Sequence, residues 1–325
     1  MKKLLSLVMV LAMALAMVAT ASADVITVGY AQVGHESDWR NANTEDFKSV
    51  FSAENGFELS FVDADNDHVV QLEAVRSFIE QDLDYICIAP IQSAGWDTVL
   101  AEAQAAGIPV LIVDRSVDAP ADLYTTAIGT DMVAEGQTAG KWLAEYLNGA
   151  AANILVLEGS VGSSAAIGRT NGFNEIMAAH PEWTLIDSQS GDFTQAGGQQ
   201  VMESFIKSYE GQFNVIVAQN DNMAYGAMDA MDAAGITYGT DGDVIIISYD
   251  ATHAGLQYTL DGDFHCNVEC NPLQAGYAKD VIMKLEAGET VPAFTLVVDQ
   301  AFVAPGITSA LATTMTQEVL DARAY

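Results

Sequence analysis

Positively charged residues are scarce in this sequence, which has 12 Lys and Arg against 44 Asp and Glu among 325 residues. The formal net charge is −32. So acidic a chain repels phosphate backbones and anionic membrane surfaces, which excludes nucleic acid as a partner. Cysteine is rarer still, and three cysteines cannot form a disulfide-dense scaffold.

Motifs of several enzyme classes are missing as well. The chain has no Gly-rich phosphate loop, no G-x-S-x-G nucleophile elbow and no H-E-x-x-H zinc motif. Residues 63–67 begin like a calcium loop, but His68 stands where that loop needs Gly and Ala74 where it needs Glu. We therefore expect no enzyme activity, no cofactor and no metal.

Half of all residues are hydrophobic, which excludes a disordered chain.

An apolar run near the start of the chain indicates an export signal. Residues 4–18 are apolar, Lys2 and Lys3 precede them, and the small residues 21–23 follow. This is the pattern of a cleaved signal peptide, and the run is short for a membrane span. We predict a signal peptide at 1–23 and an exported, soluble protein.

Beyond residue 23, short β-branched runs alternate with helical patterns in two successive halves. This alternation is typical of parallel sheets with crossover helices and predicts an α/β protein of two similar three-layer α/β/α lobes. The predicted strands are 25–31, 57–62, 85–89, 110–113, 154–157, 184–187, 215–218, 244–248, 267–270 and 294–298. The predicted helices are 41–54, 69–81, 97–106, 165–179, 196–209, 223–234, 253–260 and 274–286.

Polar and aromatic residues follow the carboxyl ends of the predicted strands, where open parallel sheets bind ligands. Three of the five arginines, Arg40, Arg115 and Arg169, fall at or near these ends. A carboxylate beside a guanidinium suits adjacent hydroxyl groups, because one accepts hydrogen bonds and the other donates them. Trp39 and Phe193 can cover the C–H faces of a sugar ring. The pattern predicts a site for a neutral polyhydroxylated molecule.

Several stretches resemble one known family. The more specific ones are residues 36–40 (Glu-Ser-Asp-Trp-Arg) and 188–194 (Ser-Gln-Ser-Gly-Asp-Phe-Thr), joined by Asp114-Arg115 and Asn220-Asp221. From residue 25 onward the chain resembles the periplasmic sugar-binding proteins of ABC transporters, in the ribose-binding-like group. The resemblance implies the type I fold of periplasmic binding proteins, with the ligand in the cleft between the lobes.

The resemblance also implies which residues bind the ligand. The main candidates are Trp39, Arg40, Asp114, Arg115, Arg169, Phe193, Asn220 and Asp250. Secondary candidates are Glu36, Ser37, Asn66, Asp192 and Glu269.

A three-segment hinge is a further implication of the resemblance. The lobes would comprise residues 24–130 plus 270–297 and residues 131–269 plus 298–325. The lobes would close around a monosaccharide, and a monomer in the periplasm would deliver it to a permease.

The identity of the sugar stays open at this level. Galactofuranose is the first choice by resemblance, and ribose, arabinose and galactose are alternatives. A sugar sensor for chemotaxis or signalling would share the same sequence features. A repressor core of the same fold would need an N-terminal helix-turn-helix where this chain has an export signal. An exported glycosidase is the remaining class, and turnover of candidate glycosides would reveal it.

Overall fold

The computed structural model describes residues 25–325, and the predicted signal peptide at 1–23 lies outside this range. Two α/β lobes, each built on its own sheet, form the protein, as the sequence pattern predicted. None of the helices in the described range combines the length and apolar character that crossing a membrane requires.

The first sheet has six parallel strands, which are β1 (Ile26–Gln32), β2 (Phe57–Asp63), β3 (Tyr85–Ile88), β4 (Val110–Val113), β5 (Thr126–Gly129) and β11 (Phe294–Leu296). They lie in the order β11-β5-β4-β3-β1-β2. All residues of β3 and β4 are buried, because helices cover both faces and the strands are apolar runs. The covering helices are α1 (Asp38–Val50), α2 (His68–Glu80), α3 (Asp97–Ala106) and α9 (Ala275–Glu286).

The second sheet has seven strands, which are β6 (Ala152–Glu158), β7 (Trp183–Ser190), β8 (Val215–Ala218), β9 (Ile245–Asp250), β10 (Cys266–Glu269), β12 (Ala301–Val303) and β13 (Thr313–Thr314). They lie in the order β13-β12-β10-β9-β8-β6-β7, and within this sheet only β10 and β12 pair antiparallel. The helices of this lobe are α4 (Met132–Leu147), α5 (Ser164–Met177), α6 (Gln195–Tyr209), α7 (Asp221–Ala234), α8 (His253–Asp261) and α10 (Gln317–Asp321).

The chain passes between the sheets three times. It leaves the first sheet after β5 and enters α4, which packs against the second sheet. It returns between β10 and α9, and it crosses a last time between β11 and β12. The connecting residues are 130–131, 270–274 and 297–300.

The periodicity failed to predict β5, α4, β12, β13 and α10. The sequence pattern did not predict helix α4 because the helix contains Gly136 and Gly140, and glycine is a poor helix former. Both glycines are needed for the close approach of α4 to α5. A β-carbon on Gly136 would lie 2.2 Å from the carbonyl oxygen of Arg169, and one on Gly140 would lie 2.8 Å from Ile176.

All three cysteines of the chain are buried and free. The sequence predicted that Cys266 and Cys270, four residues apart on a strand, are too far apart to form a disulfide. In the structure, Cys266 begins β10 and Cys270 directly follows it.

Candidate functional site

Helix α1 begins three residues earlier than predicted, and this places two candidate residues on a rigid element. Ser37 is the N-cap, and its side chain accepts a hydrogen bond from the backbone N–H of Arg40 at 3.2 Å. Trp39 and Arg40 therefore lie in the first helical turn rather than in a loop. Although α1 belongs to the first lobe, Trp39 packs into a core cluster of the second.

A small pocket lies between the lobes, and it brings together ten of the thirteen candidate residues. Three further residues, Met132, Ala165 and Cys270, also line it and were not predicted. The ten predicted residues are Glu36, Ser37, Trp39, Arg40, Asp114, Arg115, Arg169, Phe193, Asn220 and Asp250.

The first lobe contributes a buried network of two acids and two arginines. Arg40 donates from Nε to Glu36 Oε1 at 2.9 Å and from Nη2 to Asp114 Oδ2 at 2.8 Å. The Nη2 atom of Arg115 lies 3.6 Å from Glu36 Oε1. Burial would raise the pKa of Glu36, but Arg40 and Arg115 outweigh it and hold that pKa below its ordinary value. Glu36 is therefore an ionised hydrogen-bond acceptor.

Two atoms of this network are buried without a hydrogen-bond partner among the described residues. They are Glu36 Oε2, an acceptor, and Arg40 Nη1, a donor. Leaving such a group unsatisfied costs about 1–3 kcal/mol, so buried polar atoms normally have partners. A ligand hydroxyl can donate to the carboxylate and accept from the guanidinium. Vicinal hydroxyls can serve both atoms at once.

The second lobe contributes Arg169 held between two carboxylates. Its Nε donates to Glu135 Oε2 at 2.7 Å, and its Nη2 donates to Asp250 Oδ1 at 3.2 Å. A third bond runs from Nη1 to the backbone carbonyl of Gln219. Burial raises the pKa of Glu135, and burial raises the pKa of Asp250 to about 8, although Arg169 opposes both shifts. Glu135 escaped prediction because it lies on α4, the helix that the periodicity missed.

Aromatic rings form two walls of the pocket. The indole N–H of Trp39 donates to the carbonyl of Cys270, which ties the ring to a connection between the lobes. The amide of Asn220 donates to the carbonyl of Phe193 at 2.9 Å. The Arg115 guanidinium lies 5.2 Å from the centre of the Phe193 ring. Arg115 and Phe193 belong to different lobes, so this cation–π contact spans the cleft.

Three residues of the pocket have a strained backbone conformation. Asp114, Phe193 and Asp250 have φ angles of 65°, 61° and 95°, in the left-handed region that non-glycine residues rarely adopt. Such conformations cost on the order of 1–3 kcal/mol each and cluster at functional sites, where the surrounding structure enforces them. All three residues line the pocket.

Three of the secondary candidates do not line this pocket. Asn66 is exposed in the turn after β2, with its backbone N–H bonded to the Val33 carbonyl. Asp192 is also exposed and accepts a hydrogen bond from Ser190 at 3.2 Å. Glu269 is buried, but its carboxylate is bonded elsewhere, as described below. Proximity to a strand end did not determine where these side chains point.

The pocket lining carries both signs of charge. It includes three arginines, Arg40, Arg115 and Arg169, and each lies within 4 Å of a carboxylate oxygen of Glu36, Asp114 or Asp250. Within residues 25–325, no group of three or more His, Cys, Asp or Glu is arranged to hold a metal ion. The two lobes, the polar pocket between them and the connections that join them define a two-lobed ligand-binding protein.

Comparison with known proteins supports the assignment to two-lobed ligand-binding proteins. Residues 28–289 match the periplasmic binding protein domain, and the chain belongs to that family. The resemblance seen in the sequence is thereby confirmed.

Individual relatives are similar over most of the chain. The galactofuranose-binding protein YtfQ of Escherichia coli K12 is 40% identical over 289 residues, which cover 88% of this chain and 90% of that protein. A Mycobacterium smegmatis protein solved with β-D-fucofuranose is 46% identical, with a TM-score of 0.82 and coverage of 86% and 91%. The binding component of an arabinose ABC transporter from Shewanella sp. ANA-3, solved with L-arabinofuranose, is 38% identical, with a TM-score of 0.82 and coverage of 85% and 91%.

Proposed function

We propose that this protein is an extracytoplasmic solute-binding protein that captures one monosaccharide in its furanose form and delivers it to an ABC permease. Galactofuranose is the first candidate, and arabinose, ribose and galactose are the alternatives. The observation that carries the proposal is the pair of unpartnered buried atoms, Glu36 Oε2 and Arg40 Nη1. A sugar fits both atoms, because its hydroxyl groups can donate to the carboxylate and accept from the guanidinium.

The ion pairs of the pocket favour a neutral ligand, because every arginine of the lining already has an acidic partner. A charged ligand would add a buried charge to a site whose arginines and acids already compensate one another, at a large desolvation cost. The pocket is enclosed between two lobes whose edges are hydrogen-bonded to each other. The site therefore suits one sugar ring better than an oligosaccharide. The furanose form is inferred from the sugars that the relatives above are named or solved with.

Binding would proceed by hinge closure. The proposed lobes are residues 24–130 plus 270–297 and residues 131–269 plus 298–325, and the three connections between the sheets would serve as the hinge. Arg40 and Arg115 on one side and Arg169 and Asp250 on the other can then hold one sugar. The ligand favours closure because only the closed form allows contacts from both lobes at once.

Export, partner and oligomeric state complete the proposal. The protein would act as a monomer in the periplasm after removal of residues 1–23, and it would bind sugar without modifying it. A sensory role would use the same site. Uptake of labelled sugar by a strain lacking this gene distinguishes the two roles, because loss of uptake supports transport, whereas intact uptake favours sensing.

A thermal-shift screen of the mature protein tests the ligand class. The panel contains D-galactose, L-arabinose, D-fucose, D-ribose and several amino acids. A sugar present at a hundredfold excess over its Kd should stabilise the protein by about 2.7 kcal/mol. Glu36→Gln should weaken binding at least about tenfold, because a carboxylate acceptor is lost, whereas Glu45→Gln on the exposed side of α1 should not. A shift with an amino acid and with no sugar would overturn the proposal.

A further inference from the structure

Direct hydrogen bonds join the two lobes at the mouth of the cleft, independently of any ligand. The backbone N–H of Asp38 donates to Asn222 Oδ1 at 3.0 Å. The backbone N–H of Ser116 donates to Ser164 Oγ at 2.8 Å. In both bonds, the first lobe supplies a backbone donor and the second lobe supplies a side-chain acceptor.

A third bond across the cleft repeats the arrangement with backbone groups alone. The N–H of Ser93 donates to the carbonyl of Gly162 at 3.0 Å. The structure therefore describes a closed form, in which the edges of the two lobes are hydrogen-bonded to each other.

The bond to Asn222 gives an acceptor to one of the free backbone N–H groups in the first turn of α1. Asp38 is the first residue of α1, and the N–H groups of the first turn have no acceptor within their own helix. Asn222, on the opposite lobe, provides that acceptor. The next two residues of α1 are Trp39 and Arg40, which line the pocket. The bond therefore ties the second lobe to the turn that carries two binding residues.

The bond to Ser164 occupies an equivalent place on the other side of the pocket. Ser116 directly follows Asp114 and Arg115, and Ser164 directly precedes Ala165. All three of these neighbours line the pocket, whereas Ser164 and Asn222 do not. Both acceptor side chains are half-buried at the edge of the cleft, so removing either should leave no core cavity.

We propose that Asn222 and Ser164 are positioning residues that latch the lobes shut and set the residence time of the sugar without touching it. This inference rests on the proposed function. In the open form, water would replace both bonds, so their net contribution is that of ordinary hydrogen bonds. The latch stabilises the closed form with or without ligand, so it slows dissociation, whereas association, which starts from the open form, changes little.

Stopped-flow kinetics of Asn222→Ala, Ser164→Ala and the double variant test this proposal. The probe is whichever of D-galactose, L-arabinose and D-fucose stabilises the wild-type protein most. The dissociation rate constant should rise about 3- to 10-fold in each single variant and multiplicatively in the double variant, because the two bonds are separate. The association rate constant should change less than about twofold. Ser164→Thr keeps the hydroxyl acceptor and should restore the slow dissociation.

Matched control variants and a measurement without ligand distinguish failure of the latch from failure of the proposed function. Asn171→Ala and Ser208→Ala remove exposed side chains of the same types from the second lobe and should leave dissociation unchanged. Dissociation of the latch variants within twofold of these controls would overturn the latch. If no sugar binds the wild-type protein, the proposed function fails instead. Small-angle scattering of the ligand-free double variant then tests the latch, which predicts a larger radius of gyration than in wild type and is refuted by an equal one.

Discussion

The ring of Phe193 fills the space beside the α-carbon of Gly159. A β-carbon on Gly159 would lie 1.9 Å from an atom of that ring, which is far inside van der Waals contact. Gly159 follows β6, and Phe193 is one of the two aromatic walls of the pocket. A glycine that the sequence pattern predicts to be a simple turn residue therefore fixes the position of a ring that lines the pocket.

Gly159→Ala should displace Phe193 and lower sugar affinity at least about tenfold. The reason is overpacking, which costs about 1–3 kcal/mol when the surroundings cannot yield. Calorimetric titration with the best sugar of the panel measures the effect. Gly276→Ala is the matched control, since its β-carbon would meet no atom within 4 Å, and it should leave affinity unchanged. Equal affinity in the two variants would contradict the packing argument.

Arg115→Ala should weaken sugar binding by about 1.5–3 kcal/mol, which is the range of a charge-assisted hydrogen bond. The Arg115 side chain is almost fully buried, and its guanidinium lies between Glu36 and the Phe193 ring. Arg76→Ala removes an arginine from an exposed ion pair with Glu102 and should not alter affinity. Titration of both variants, with circular dichroism to verify folding, checks the prediction. A loss for Arg115→Ala within the error of the control would remove it from the site.

Asp299 should make the free energy of unfolding fall as pH rises. Burial raises the pKa of Asp299 to about 9, with further contributions from the charges of Glu135 and Glu269. The unfolded value is near 3.9, so the folded state binds the proton more tightly, and this stabilisation is lost as pH rises towards 9. One proton corresponds to at most about 1.4 kcal/mol per pH unit, and partial solvent exposure of Asp299 reduces that figure.

Urea unfolding at pH 5, 7 and 9 measures this effect. Asp299→Asn is uncharged at every pH, so its stability relative to wild type should increase with pH. Asp280→Asn, on the exposed surface of α9, should stay parallel to wild type. Parallel profiles for all three proteins would contradict the prediction.

Glu269→Gln should destabilise the fold and leave sugar affinity nearly intact. One carboxylate oxygen of Glu269 is bonded to Arg323 and Tyr325, and the other accepts the backbone N–H of Gln300 at 2.9 Å. Removing the charge should lower the free energy of unfolding by about 1–3 kcal/mol. Glu318→Gln, which is exposed, is the control. A loss of affinity of tenfold or more without a loss of stability would return Glu269 to the binding site.

Much of the fold could be predicted because it depends on local patterns. Strands β4 and β8 and helix α3 have the bounds that were predicted, since each is an uninterrupted apolar run or amphipathic stretch with clear ends. Helix α4 could not be predicted in the same way. Its glycines lower local helix propensity, and their benefit appears only where α5 packs against them.

The residues of the candidate site likewise include some that could be predicted from the sequence and some that could not. Arg40, Asp114 and Arg169 could be selected because ligands bind beyond the carboxyl ends of parallel strands. Asn66 and Glu269 also follow or end strands, yet one faces solvent and the other faces Arg323. Glu135 reaches the site network from a helix of its own.

By itself, the sequence determined the fold class, the two-lobed plan and the chemical character of the site, because composition, periodicity and strand-end position are local properties of the chain. Only the tertiary structure decided which acid pairs with which arginine, which atoms are left for a ligand, and that Asn222 meets Asp38 across the cleft. These contacts join residues as far as 184 positions apart. They depend on how helices and sheets pack in three dimensions, which no local pattern encodes.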